Sequence, residues 1–189
     1  MKAFRNKLSF TIVELLIVVA LIAVLASIMM MVAGQGNTAS DTELTKSTLA
    51  LLDSALQEYH DYTGKFPLPD LIGETYFDPN YPGQQIRQHN ASLYIQLSLV
   101  EESRSILEKI PESQINPKDF EGSVTVQFID PFGQSHTQSS YLEILDGWKM
   151  PLDYIYVSEP SAKRMNFPSI ISAGPDKNFG TTDDITNKK

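Results

Sequence analysis

Cysteine is absent from the sequence, which excludes a disulfide framework and any thiol chemistry. Histidine is scarce, because the chain has only His60, His89 and His136, and their spacing does not suit a zinc site. Cationic residues are also few, with 15 Lys and Arg against 23 Asp and Glu and a net charge of −8. Such an acidic chain is poorly suited to anionic lipid or nucleic acid, so we expect no nucleic-acid partner.

Sequence motifs for catalysis are missing as well. Residues 133–137 lack the second glycine of a nucleophile elbow. No glycine-rich segment has the pattern of a loop that binds a phosphate group. The neighbouring carboxylates Glu101 and Glu102 could indicate acid–base chemistry. Adjacent positions of a helix point in different directions, however, so a solvated helix face is the simpler interpretation. We therefore expect a protein that is not an enzyme.

One long apolar run is present near the N-terminus, at residues 15–33. It is long enough to cross a bilayer as a helix, and the basic leader before it marks the cytoplasmic side. Glu14 stands at the entrance of this run. A carboxylate there costs about 2.5 kcal/mol or more in a membrane unless a partner neutralises it. Cleavage before Phe10 would supply a partner, because it creates an α-amino group close to Glu14.

The basic leader, the motif Phe-Thr-x-x-Glu at residues 10–14 and the apolar helix together resemble the class III signal of type IV prepilins and type II secretion pseudopilins. This resemblance implies that a prepilin peptidase cuts between Ser9 and Phe10 and methylates the new N-terminus. Ser9 departs from the family, which usually has Gly before the cut. The resemblance also implies that Glu14 neutralises the N-terminus of a neighbouring subunit in a filament.

Two other interpretations of the N-terminus are an ordinary secretory signal peptide and a plain signal anchor. A signal peptide has a shorter apolar core of about 7 to 15 residues, and a plain anchor does not account for the motif at residues 10–14. The pilin-like interpretation divides the chain into a leader at 1–9, a transmembrane and assembly helix at 10–34 and a periplasmic pilin-like domain at 35–189.

The remaining sequence predicts helices followed by strands. Gly34 and Gly36 predict a bend or break, after which a capping box at 40–43 restarts a helix that ends near Gly64. Residues 68–90 are rich in Pro, Gly, Asp and Asn, which predicts an irregular loop, and a further helix is predicted at 91–110. Strand patterns occur at 124–128, 141–145, 154–157 and 170–172, and a turn is predicted at residues 130–133, after the first of these strands. We expect an α+β, pilin-like fold in which the long N-terminal helix packs on a small antiparallel sheet.

Two further segments resemble the major pseudopilins of type II secretion. Residues 55–67 have the Tyr-rich helix end and the Gly-basic-aromatic-Pro turn of that family. Residues 146–154 keep the Asp, Trp, Pro and Tyr of its Asp-Pro-Trp-Gly-x-Pro-x-x-Tyr box, although Gly147 and Lys149 replace two of its positions. We expect Trp148 in this box to be a core anchor.

A turn-rich C-terminal loop carries three aspartates, Asp176, Asp183 and Asp184. Calcium prefers about six to eight oxygen ligands, and a divalent cation would relieve the repulsion between Asp183 and Asp184. From loop chemistry alone, a solvated acidic tail is an equal alternative. The loop also resembles the calcium loop of the major pseudopilins, which implies the three carboxylates as ligands, with the backbone carbonyls of Ala173 and Asn178.

These resemblances imply a structural subunit of a type II secretion pseudopilus, with calcium as its cofactor. The subunit would form a homopolymer, span the inner membrane once and hold its C-terminal domain in the periplasm. Its partners would be the prepilin peptidase, minor pseudopilins and the inner-membrane assembly platform. The residues at 68–145 are longer than the usual middle region of the family.

Two alternatives to this function stay open. The first is a type IV pilin, a minor pseudopilin or a DNA-uptake pilin, although the absence of cysteine counts against the commoner pilins. The second is a membrane-anchored periplasmic enzyme or ligand-binding domain that uses the acidic loop as its site.

Overall fold

Helix α1, Ile12–Thr63, is the longest element of the computed structural model. The structure describes residues 12–71, 83–119, 126–130, 132–156 and 167–188. The chain divides into two units, Met1–Ala39 and Ser40–Lys189. In the first unit, every side chain at positions 12–27 is exposed. Within the described residues, no helix combines the length and the apolarity that crossing a membrane requires.

Helix α1 is continuous, so the predicted break at Gly34 and Gly36 and the restart at residues 40–43 are wrong. The Thr45 hydroxyl donates to the carbonyl oxygen of Asp41 at 2.7 Å, as a threonine inside a helix does. Two glycines cost a helix about 1 kcal/mol each, which the cooperativity of a long helix offsets. The predicted end of α1 is confirmed: Gly64 has a left-handed φ of 72°, and its N–H donates to the carbonyl of His60 at 2.7 Å.

Two helices, α2 at Gln84–Leu99 and α3 at Glu101–Leu107, occupy the region where one helix is predicted. Val100 separates them in an extended conformation. Helix α2 begins inside the segment that the sequence predicts to be a loop, because several of its buried residues are polar and hide the apolar periodicity. Asn90 is the clearest case, since it is fully buried on α2.

Seven short strands in the described residues form three antiparallel sheets, where the sequence predicts one. They are β1 (Ile115–Asp119), β2 (Val126–Ile129), β3 (Ser135–Gln138), β4 (Ser140–Ile144), β5 (Asp153–Ile155), β6 (Ser169–Ser172) and β7 (Ile185–Thr186). Strand β1 pairs with β4, β2 pairs with β3, and β6 lies between β5 and β7. The sequence pattern does not predict β1, because this strand is polar and contains Pro117. Proline is tolerated there since β1 has only one partner strand in its sheet.

The core of the second unit forms where α1 packs against the strands and the other helices. Its fully buried members include Leu52, Leu56, Tyr59, Leu97, Ile144, Tyr154 and Ile170. The predicted α+β class, with an N-terminal helix and small antiparallel sheets, is confirmed.

The predicted core role of Trp148 is wrong, because this residue is only half-buried and lies outside the core. Tyr154 is the buried anchor of this segment. Its hydroxyl donates to the carbonyl of Pro67 at 2.8 Å, and burial raises the pKa of that hydroxyl. In this segment Tyr154, rather than Trp148, is the buried aromatic residue, and its hydroxyl has a hydrogen-bond partner inside the protein.

Candidate functional site

Two separate places in the chain carry the functional residues expected from the sequence. Ser9 and Phe10, the predicted cleavage site, lie outside the described residues. Glu14 lies in the first turn of α1 and is exposed.

The apolar side chains around Glu14 face solvent. The exposed fractions of the Ile, Leu and Val side chains from Ile12 to Leu25 range from 45% to 79%. Monomeric soluble proteins rarely expose so large a contiguous apolar surface, and such a surface marks contact with protein or membrane.

The C-terminal acidic loop connects β6 to β7. It is closed at its base by the antiparallel pairs Ile171↔Thr186 and Ser172↔Ile185. Gly174 approaches the far side of the loop so closely that a Cβ atom there would overlap the backbone oxygen of Asp183. Gly174 also has a left-handed φ of 66°, which favours glycine. The end of β6 is therefore held against the C-terminal segment.

Asp183 accepts hydrogen bonds through both of its carboxylate oxygens. Its Oδ1 accepts a hydrogen bond from the Thr181 hydroxyl at 2.5 Å, and its Oδ2 accepts one from the backbone N–H of Asp176 at 3.1 Å. These donors, Thr181 first, stabilise the charged form and lower the pKa of Asp183 below its ordinary value. Asp183 is consequently ionised at neutral pH.

The other two carboxylates also bond within the loop. Asp176 Oδ1 accepts from the backbone N–H of Asn178 at 2.7 Å, and Asp184 Oδ2 accepts from that of Gly180 at 2.8 Å. The carbonyl oxygen of Asn178 accepts from the Thr181 hydroxyl at 3.2 Å, and Ala173 is fully buried. The loop thus brings all the predicted ligands into one segment. In this structure, however, the three carboxylates accept hydrogen bonds from backbone N–H groups of the loop itself.

The donor chemistry of this loop consists of carboxylate, hydroxyl and carbonyl oxygens, which suits calcium better than zinc. The side-chain arrangement is less suited to a metal. Among the residues that the structure describes, no three acidic or histidine side chains come together in a way that could hold an ion. Calcium binding would require the three carboxylates to come closer together than they are in this structure.

A polar cluster that the sequence does not single out as a site lies at the turn between β2 and β3, beside a cleft of about 510 Å³. Asp130 Oδ1 accepts from the N–H groups of Phe132 and Gln134 at 2.9 and 2.7 Å, and Oδ2 lies 2.8 Å from His136 Nε2. Burial raises the pKa of Asp130, but the hydrogen bonds from His136 and the two N–H groups outweigh it, so this pKa is lowered. The turn predicted at residues 130–133 is confirmed, since Gly133 N–H donates to the carbonyl of Asp130 at 3.0 Å.

The described residues therefore form an α+β protein in which α1, the first described element, has an exposed apolar segment at positions 12–27. Residues 4–30 match the family model described as the prokaryotic N-terminal methylation motif. No curated protein and no solved structure matches the chain. The matched segment includes Ser9, Phe10 and Glu14, so the chain carries a prepilin-type N-terminal signal. This supports the type IV pilin-like superfamily as its class, in which proteins are processed by prepilin peptidase.

Proposed function

We propose that the protein is a structural subunit of a type II secretion pseudopilus, which prepilin peptidase processes and which polymerises through its N-terminal helix for protein export. The observation that carries this proposal is the prepilin-type signal at residues 4–30, which includes a helical segment whose side chains are all exposed at positions 12–27. Covering apolar surface is worth about 25 cal/mol per Å². Membrane lipid would cover this helix before assembly, and neighbouring helices would cover it in the filament.

The proposed assembly step uses the charge of Glu14. Cleavage between Ser9 and Phe10 creates a positively charged α-amino group, which would pair with Glu14 of a neighbouring subunit. Away from water, a carboxylate without a partner costs about 2.5 kcal/mol or more, so pairing favours one axial position of the helices. Ser27 makes no such demand on a neighbour, because its hydroxyl donates to the carbonyl of Ala23 in the same helix at 2.8 Å.

Processing and assembly of the subunit would each require a partner protein. The prepilin peptidase would expose Phe10, and the inner-membrane assembly platform and minor pseudopilins would receive the processed subunit. In this proposal the N-terminal helix anchors the chain in the inner membrane, and residues 35–189 lie in the periplasm until the subunit enters the pseudopilus.

The first test is the intact mass and N-terminal sequence of the protein from membranes of cells with and without prepilin peptidase. We expect a chain that starts at N-methylated Phe10 only when the peptidase is present. A chain that starts at Met1 in both strains would contradict the proposal. An uncleaved and monomeric product would favour a membrane-anchored periplasmic enzyme or ligand-binding domain.

A second test separates the pseudopilus from other filaments. Deletion of the gene should remove secreted enzymes from the culture medium while twitching motility and DNA uptake continue. Normal secretion together with lost motility or lost DNA uptake would instead assign the subunit to a type IV pilus or an uptake pilus.

We also propose that calcium binds the C-terminal acidic loop through Asp176, Asp183 and Asp184, with the carbonyls of Ala173 and Asn178. The support is the concentration of oxygen donors in one loop whose ends β6 and β7 hold together. The ion would supply positive charge that links the end of β6 to the C-terminal segment.

Thermal unfolding of the detergent-solubilised chain in calcium and in EDTA tests this proposal. A ligand at a hundredfold excess over its Kd stabilises the folded state by about 2.7 kcal/mol. We expect calcium to raise the midpoint of the wild type and of Asp61→Asn, an exposed control on α1, but not that of Asp184→Asn. An equal response of all three proteins, or none, would contradict the site.

A further inference from the structure

Asp146 is a fully buried carboxylate in the short turn between β4 and β5. Its Oδ1 accepts hydrogen bonds from the backbone N–H groups of Trp148 and Met150, both at 2.9 Å. Its Oδ2 accepts from the hydroxyl of Ser172 at 2.7 Å. A buried carboxylate is stabilised only while such donors remain in place, so the turn depends on Ser172, a residue of another strand.

Ser172 also contacts the acidic loop. It is the last residue of β6, and its Oγ accepts a hydrogen bond from the N–H of Gly174 at 3.1 Å while it donates to Asp146. Gly174 in turn lies directly against the backbone of Asp183. The Ser172 hydroxyl therefore contacts both Asp146 and the residue at which the acidic loop begins.

The same turn rests on helix α1 through Gly147. The N–H of Gly147 donates to the Thr45 hydroxyl at 2.9 Å, and that hydroxyl donates to the carbonyl of Asp41 at 2.7 Å. A Cβ atom at Gly147 would lie 2.7 Å from the Cα atom of Asp41, which is too close for any side chain. The turn at 146–150 is consequently in direct backbone contact with α1.

We infer that the Ser172 hydroxyl couples the order of the C-terminal acidic loop to the contact between the turn at 146–150 and helix α1. Opening of the loop removes the N–H of Gly174 from Ser172 and frees the serine hydroxyl to leave Asp146. The Asp146 carboxylate then keeps fewer donors in a buried place, and the turn loosens at Gly147. Linked hydrogen bonds of this kind strengthen one another, so loss of the bond from Gly174 to Ser172 weakens the bond from Ser172 to Asp146. The coupling requires neither a metal ion nor a filament.

Amide hydrogen exchange on the full chain in detergent, in EDTA, tests this coupling. Asp183→Ala removes the acceptor for the Asp176 N–H and the Thr181 hydroxyl. We expect it to accelerate exchange at Trp148 and Met150 by about three- to tenfold, because part of one hydrogen bond to a charged group is lost.

The same exchange measurement on Ser172 variants isolates the serine. Ser172→Ala alone should accelerate exchange at Trp148 and Met150 by about tenfold, and Asp183→Ala added to it should have no further effect there. Ser103→Ala is the matched control, because Ser103 is also fully buried and its hydroxyl donates to the carbonyl of Ala55 on α1 at 2.9 Å. In that background the effect of Asp183→Ala should persist.

Two results would overturn the inference. One is unchanged exchange at residues 147–150 when Asp183→Ala is introduced into the wild type. The other is an equal effect of Asp183→Ala with and without the serine hydroxyl. If Ser172→Ala does not fold, Ser172→Cys replaces it, because a thiol has nearly the same shape and is a weak donor.

Discussion

Asn90 offers the sharpest test of how the second unit is held together. Its side chain is fully buried on α2, and Nδ2 donates to the carbonyls of Ile144 and Leu152 at 2.9 and 2.7 Å. Its Oδ1 accepts from the N–H of Ile144 at 2.8 Å. One side chain thus satisfies backbone groups of β4 and of the residue that precedes β5.

Asn90→Ala removes all three hydrogen bonds, but their loss is not equally costly. The carbonyl of Ile144 keeps the N–H of Leu152 as a donor at 3.0 Å. The N–H of Ile144 and the carbonyl of Leu152 lose their Asn90 partner, and each such loss costs about 1 to 3 kcal/mol in a buried place. We therefore expect the free energy of unfolding to fall by about 3 kcal/mol.

Urea unfolding of the solubilised chain, followed by Trp148 fluorescence, measures this change. Asn178→Ala is the control, because Asn178 is exposed and its side chain donates only to the carbonyl of Asp176, at 2.9 Å. The control should change the free energy of unfolding by less than about 0.5 kcal/mol. A loss below about 1 kcal/mol for Asn90→Ala would refute the argument that this side chain substitutes for backbone pairing.

Three further predictions concern the other regions. Glu14→Ala should leave cleavage intact and prevent filament assembly, and electron microscopy that finds normal filaments would contradict the pairing mechanism. Gly174→Ala should destabilise the acidic loop more than Gly133→Ala, measured by limited proteolysis, because both glycines have φ above 60° but only Gly174 lies against another backbone. Stability should fall in acid as pH drops below 3.8 through the lowered pKa of Asp130, since a depressed carboxyl pKa stabilises the folded state only while the group is ionised. Asp130→Asn should remove this part of the urea-midpoint change between pH 5 and pH 2, and an unchanged profile would show that Asp130 does not contribute.

Local chemistry accounts for the parts of the fold that the sequence predicts well. The end of α1 needs only one glycine in a left-handed conformation, and the turn at residues 130–133 needs only an aspartate with a glycine three positions later. Helix α2 is different. Its buried face carries polar residues such as Asn90, whose partners are distant in sequence, so apolar periodicity places the helix start too late.

The functional residues also fall into those that the sequence indicates and those that only the fold brings together. The N-terminal signal is a continuous motif, and the sequence alone indicates it. The three aspartates of the acidic loop are equally visible in the sequence, but the hydrogen bonds that they accept depend on loop closure by β6 and β7. The contact of Gly147 with Thr45 joins residues 102 positions apart, so no sequence spacing indicates it. Trp148 shows a different error, because the general tendency of aromatic residues to be buried assigns it to a core that Tyr154 occupies.

The exposed helix at positions 12–27 has one further consequence for recognition. Its apolar side chains lie on every side, with Glu14 and Ser27 as the only polar residues, so its apolar surface is not confined to one face. A coiled coil selects its partner through one apolar stripe, and this helix has none. Rotation about its axis therefore changes the apolar contacts little, so Glu14 alone sets both the direction and the axial position at which a partner charge can pair with it. In the proposed filament, neighbouring chains would contact this segment from any direction, and Glu14 would define their relative position along the axis.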